Sequence, residues 1–153
     1  MKNTAVISGS FDPITSGHID LIKRALEIFG KVIVAVCDNS EKKYMFSQPV
    51  RLEAVKASVR QFEGVEVVCL DGLLAEFVKS VDGVLVKGAR NGVDFDYEKN
   101  LFDINYELSG VETVVFPASV EFQFVSSTFV RELVKYNRPL DGYVPKEAIP
   151  YLK

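Results

Sequence analysis

TAVISGSFDPITSGHIDLIKRALEIFGKVIVAVC, Thr4–Cys37, decides how the rest of this chain is read. Its two ends, Thr4–Ser8 and Lys31–Cys37, are short runs dominated by Val and Ile, without polar alternation. Such runs suit strands buried on both faces. Between them, Ile19, Ile22, Leu26 and Phe29 recur at three- and four-residue steps along His18–Phe29, which makes one face of a helix. Strand, loop, helix and strand within 34 residues form a crossover unit joining two parallel strands.

The same alternation continues downstream. Val65–Leu70, Gly83–Lys87 and Val111–Phe116 are further apolar, β-branched runs. Pro49 suits the first turn of a second helix carrying Leu52, Val55, Val59 and Phe62. Leu73–Ser80 reads as a short third helix. Asp94–Ser109 reads as a fourth, with Tyr97, Leu101, Ile104 and Leu108 on one side, and Ser127–Tyr136 as a fifth. The tail, with Pro139, Pro145 and Pro150, reads as loop with one more short helix at most. Five alternations predict an α/β fold: one doubly wound, Rossmann-like, five-stranded parallel sheet with helices on both faces, in a single domain over 1–153.

Composition limits the function classes. The net charge of −3, with no run of five like charges, argues against a general nucleic-acid surface. The longest apolar run, Val32–Cys37, is far short of a membrane span, and the N-terminal stretch is too short for a secretion signal. Cys37 and Cys69 lack a CxxC spacing and have one histidine for company, so two buried thiols in a reducing cytoplasm are expected rather than a zinc site. No metal-ligand set is expected from protein side chains.

Ligands of an open parallel sheet bind beyond the carboxyl ends of its strands. The polar and glycine-containing segments Gly9–His18, Asp38–Lys43, Asp71–Leu74, Lys87–Arg90 and Pro117–Thr128 each follow a strand, so all five fall on that edge. In Gly9–His18, Gly9 allows a sharp turn, Pro13 stiffens the loop and Gly17 permits close approach of a phosphate. His18, the chain's one histidine, falls in the first helical turn, where free N–H groups and the helix dipole favour an anion. A helix cap is the simpler role for it; its place at the ligand edge favours phosphate binding. Lys42 and Lys43 are a surface pair by composition, and their position after the second strand makes one of them a candidate phosphate ligand. Lys87 and Arg90 flank Gly88, and Arg90 can grip phosphate oxygens bidentately. Ser126, Ser127 and Thr128 open a helix, where capping and phosphate binding are compatible.

Thr15-Ser16-Gly17-His18 resembles the T/HxGH signature of the nucleotidylyltransferase superfamily, and GSFDPITSGHID is similar to the corresponding string of bacterial phosphopantetheine adenylyltransferases. Ser8 and Ser10 stand where that family has proline and threonine. The resemblance covers Ala5 to about Tyr136. It implies catalytic roles for His18 and Lys42, the first lysine of a KKxMF string. It implies ATP contacts at Ser10, Phe11, His18, Gly88, Ala89, Arg90 and Glu98, and along the loop Phe122, Gln123, Phe124, Val125, Ser126, Ser127 and Thr128. Acceptor contacts are implied at Ser10, Lys42, Lys87 and Leu74, although Leu74 by pattern alone is a core residue. Lys87 stands where the family has arginine, keeping the charge and losing the planar fork.

The reaction so implied is ATP + 4′-phosphopantetheine → dephospho-CoA + pyrophosphate, with Mg2+ carried mainly by ATP oxygens, in a cytoplasmic homo-oligomer that is hexameric by resemblance. A phosphate acceptor is already a nucleophile at neutral pH, so the site must position two polyanions and stabilise charge rather than supply a strong base. Two rivals stay open. One is a related transferase using nicotinamide mononucleotide or an alcohol phosphate; the other is a noncatalytic nucleotide-binding module. A phosphate-binding loop of the form GxxxxGKS or GxxxxGKT is absent.

Overall fold

A computed structural model describes every residue, Met1–Lys153. Five strands form the sheet: β1 (Thr4–Gly9), β2 (Lys31–Cys37), β3 (Val65–Leu70), β4 (Val84–Ala89) and β5 (Thr113–Pro117). The connecting helices are α1 (Ser16–Phe29), α2 (Gln48–Val59), α3 (Leu74–Ser80) and α4 (Gly92–Ser109), and α5 (Ser127–Lys135) follows β5. All strands are parallel, in the order β3-β2-β1-β4-β5. The predicted architecture is the observed one.

Helix ends follow local chemistry. Gly30 terminates α1 in the left-handed conformation (φ 75°) and donates to the Leu26 carbonyl. Gly110 ends α4 in the same way (φ 67°), and the Asn91 side chain caps its start by accepting from the Asp94 N–H. Helix α2 is shorter than its apolar spacing predicts. Phe62 lies beyond it, donating to the Val59 carbonyl in a turn that leads through Gly64 (φ 86°) to β3. A β-carbon on Gly64 would come within 2.9 Å of the Gly30 carbonyl, so two loops meet there closely.

The two faces of the sheet are unequally sealed. One carries an eighteen-residue cluster that joins Ile7, Val34 and Val86 to Ile22 and Ala25 of α1, Val55 of α2 and Val130 of α5. The other carries six residues, including Val6, Ile33, Leu85 and Val78 of α3. Helix α4 contributes no buried residue, and Tyr97, Ile104 and Leu108 face outward. Expected burial on both faces therefore holds for most of β2 and for half of β1 and β4, whereas the edge strands β3 and β5 are largely half-exposed. Cys69, on edge strand β3, is exposed and Cys37 half-buried, contrary to the expectation of two buried thiols.

The strand order reverses between β1 and β4, and there the ladder stops early. β1 pairs with β2 from Thr4 to Gly9, but with β4 only at Ala5↔Val84 and Val6↔Leu85. Beyond Val6 and Leu85 the two central strands part, opening a crevice at the carboxyl edge, where this sheet order places ligands.

Candidate active site

A cavity of about 380 Å³ occupies that crevice, within the usual range of small-molecule sites. Its floor comes from Ile7 and Ser8 of β1 and Val86, Lys87 and Gly88 of β4. Its walls come from the first turns of α1 and α5, the inner side of α4, and the segment after β5. Two helix N-termini thus open into one space, and their dipoles, with the N–H groups that the caps leave free, favour anions.

The loop leading into α1 is shaped by Phe11 rather than by its glycines. Phe11 holds φ at 50°, is buried, and packs edge-on against the His18 ring with centroids 4.9 Å apart. Neither Gly9 nor Gly17 adopts a left-handed φ. The Asp12–Pro13 bond is cis. Thr15 caps α1: its hydroxyl accepts from the His18 N–H at 3.3 Å, and its own N–H donates to His18 Nδ1 at 3.0 Å. Since Nδ1 accepts, the neutral ring carries its proton on Nε2, the one donor it can offer to the cavity it lines. Burial, then the charge of Arg90, lowers the His18 pKa from 6.5 to about 4. The residue both caps the helix and lines the cavity, and the ring is a neutral donor rather than a cation.

Three cations in the cavity wall each have a carboxylate partner. Arg90 donates from its backbone N–H and from Nε to Asp94 Oδ2, each at 3.0 Å. Desolvation raises the Asp94 pKa, but the hydrogen bonds from the Arg90 side chain and backbone, with its charge, bring it below the usual value. Lys87 Nζ donates to Ser8 Oγ at 3.0 Å and lies 3.9 Å from Glu98, whose Oε2 is buried without a hydrogen-bond partner. Arg24 donates to the Pro117 carbonyl at 2.8 Å and lies 3.5 Å from Asp20 Oδ2, which also accepts from the Ser119 hydroxyl at 2.7 Å.

Of the residues selected from sequence, His18, Lys87, Gly88, Arg90, Glu98, Phe122, Val125, Ser126, Ser127 and Thr128 line the cavity. The three hydroxyls are engaged within the chain. Ser126 caps α5 by accepting from the Phe129 N–H, Ser127 donates to the Pro13 carbonyl, and Thr128 accepts from Arg131. Ser10, Phe11, Ala89, Gln123 and Phe124 lie outside the lining. So does Leu74, half-buried against the smaller core cluster. Lys42 is exposed and also off the cavity wall, in a turn where its N–H donates to the Asn39 carbonyl at 3.0 Å.

Two residues that sequence reading passed over hold these loops together. Asp12, 5% exposed, accepts from the Met45 and Phe46 N–H groups, each at 2.9 Å, so the loop bearing Lys42 is fastened to the loop bearing His18. Arg51 of α2, 1% exposed, donates to the Ser10 carbonyl at 2.7 Å, to the Phe46 carbonyl at 3.0 Å and to Asp38, with the Tyr44 ring 4.1 Å from its guanidinium carbon. An arginine preceding Leu52, Val55 and Val59 on an apolar stripe was the available signal for it. For Thr15 the signal was a hydroxyl three residues before a side chain able to accept, the spacing of a capping box.

Residues 6–133 match the model of the cytidylyltransferase-like family. A phosphopantetheine adenylyltransferase of Clostridium beijerinckii is 43% identical, covering 95% of this chain and 92% of that relative. Its counterpart in Campylobacter hominis is 39% identical, covering 100% and 98%. A solved structure from Vibrio parahaemolyticus, described as a nicotinate-nucleotide adenylyltransferase, superposes with a TM-score of 0.75 over 99% of this chain and 92% of that one, at 19% identity. At that identity the likeness speaks for the fold alone.

Proposed function

We propose, for a chain that belongs to the phosphopantetheine adenylyltransferase family of cytidylyltransferase-like proteins, that it transfers the adenylyl group of ATP to 4′-phosphopantetheine, giving dephospho-CoA and pyrophosphate. An oxygen of the acceptor phosphate attacks the α-phosphorus of ATP. A new P–O bond forms as the Pα–O–Pβ bond breaks, and pyrophosphate leaves with the electron pair. No proton has to be removed from the nucleophile and no covalent enzyme intermediate is needed.

The observation that carries this reading is the neutral Nε2–H of His18, held at a helix N-terminus in the crevice where β1 and β4 part. A fixed donor aimed at phosphate oxygens stabilises charge that shifts during transfer without costing reorganisation. Arg90 and the first turn of α5 supply further positive potential for the polyphosphate, and Lys87 for the acceptor phosphate. Lys42 takes its catalytic part from the loop tied to Asp12, which has to carry its ammonium toward the crevice when the acceptor binds.

Mg2+ enters as the ATP complex. The chain has no group of three or more His, Cys, Asp or Glu able to hold a metal, so substrate oxygens and water are the donors expected. The working form is a homo-oligomer, a hexamer by family resemblance. The outward apolar residues Tyr97, Ile104 and Leu108 of α4 favour coverage by another copy. The setting is cytoplasmic; no helix is long and apolar enough to cross a membrane.

Pyrophosphate release, measured with ATP and a panel of acceptors, tests the assignment. Fast release with 4′-phosphopantetheine is expected. Faster release with nicotinamide mononucleotide, or ATP binding without release under any condition, would refute it.

A further inference from the structure

Ser8 and Lys87 meet where the central strands separate. The pairing Val6↔Leu85 is the last rung between β1 and β4, and side chains two residues further along each strand lie on the same face of the sheet. Those residues are Ser8 and Lys87, joined by the 3.0 Å bond from Nζ to Oγ. Both line the cavity. Lys87 is 17% exposed and Glu98 15%, and their 3.9 Å separation is an ion pair without a hydrogen bond. Glu98 Oε2 therefore keeps a bare, buried oxygen within reach of a flexible ammonium. A lysine stem with four rotatable bonds would ordinarily close that gap.

We propose that Ser8 is a positioning residue for Lys87: its hydroxyl keeps the ammonium off Glu98 and presented to the crevice, where it meets the acceptor's phosphate. One N–H is committed to Ser8, and the remaining donors stay available to an incoming anion. Without the hydroxyl, Nζ moves onto Glu98, and the charge offered to phosphate is neutralised before the substrate arrives. The assignment of the phosphate rests on the reaction proposed above; the contact itself does not.

Crystal structures of the unaltered chain and of Ser8→Ala, with steady-state kinetics against ATP and 4′-phosphopantetheine, test this. In Ser8→Ala the Lys87–Glu98 distance is expected to contract to hydrogen-bond length, below about 3.2 Å. KM for 4′-phosphopantetheine should rise about tenfold, the scale of one hydrogen bond to a charged group. KM for ATP and the melting temperature should stay near their starting values, and Ser8→Thr should recover most of the acceptor affinity. An unchanged Lys87–Glu98 distance in Ser8→Ala, or a Ser8→Thr variant as impaired as Ser8→Ala, overturns the positioning role. If the unaltered chain does not turn over 4′-phosphopantetheine, the proposed reaction fails, while the crystallographic distance still decides what Ser8 does.

Discussion

The Thr15 N–H donates to Nδ1 of His18 at 3.0 Å, and that single bond decides which nitrogen of the ring is left to face a ligand. A backbone amide cannot accept, so the neutral ring holds its proton on Nε2. Protonating Nδ1 would set two donors against each other, which adds to the cost that burial and Arg90 already impose on the imidazolium.

The lowered pKa is directly measurable because His18 is the chain's one histidine. Its ring-proton NMR signal should titrate with a midpoint near 4 rather than 6.5. Between those two values the unfolded chain binds a proton that the folded chain does not. The His18 contribution to stability should therefore fall as pH drops from 6.5 toward about 4 and level off below it. A midpoint near 6.5 would rule out the neutral-donor account.

Capping and catalysis at His18 are separable by mutation. His18→Ala removes both and should lower kcat by about 10²–10³-fold, with ATP KM changing far less. It should also lose roughly 1 kcal/mol of stability, the scale of a lost cap. His18→Gln supplies a side-chain acceptor at the third helical position, as capping boxes do, so stability should return while kcat stays low. Recovery of kcat in His18→Gln would mean that the ring's role is structural.

Asp12→Ala should uncouple the Lys42 loop. Two part-buried N–H groups, of Met45 and Phe46, lose their acceptor, and since water can reach this loop the cost is about 1 kcal/mol for each. Kcat and acceptor KM should suffer more than ATP KM, because the amides released belong to the Lys42 loop, which is off the cavity wall. Equal changes in both KM values would argue against a selective link between Asp12 and Lys42.

Arg51→Met should cost about 3 kcal/mol or more, since the Ser10 and Phe46 carbonyls and Asp38 lose a common donor. For a chain of this size that is about 6–12 °C in melting temperature. A shift below 2 °C would show that water replaces the guanidinium without loss.

Asp94→Ala should raise ATP KM by freeing the Arg90 guanidinium to sample other rotamers, with little change in acceptor KM. The pair should persist at neutral pH and loosen only in acid, as pH falls through the depressed Asp94 pKa. ATP titrations of the variant by calorimetry would check this, and unaltered affinity would deny Asp94 its positioning part.

The sheet was legible because its strands are written as Val and Ile runs with polar clusters at one end, and parallel topology sends all such ends to one edge. Ten of the selected residues reach the cavity for that reason. What stayed hidden depends on distance rather than pattern. Nothing local to Asp12 says that its carboxylate will receive amides 33 and 34 residues away. Arg51 sits on an apolar stripe, but nothing local says that two loops, one carrying the Ser10 carbonyl and the other the Phe46 carbonyl and Asp38, will close around it. Helix α4 misled in the other direction. Its spacing of Tyr97, Leu101, Ile104 and Leu108 is that of a core-facing stripe, yet three of the four are exposed in the single chain, because periodicity tells that a face will be covered and not by what. Lys42 followed the right strand and still lies off the wall, since a turn fixes where its backbone goes and leaves the side chain to solvent.

The early parting of β1 and β4 makes the chamber's floor out of two inner strands, each paired on both sides. The chamber's place is in that sense inherited with the architecture. A scaffold that fixes its chamber in this way tolerates wide change in sequence around it, and a solved structure at 19% identity shares it over 99% of this chain.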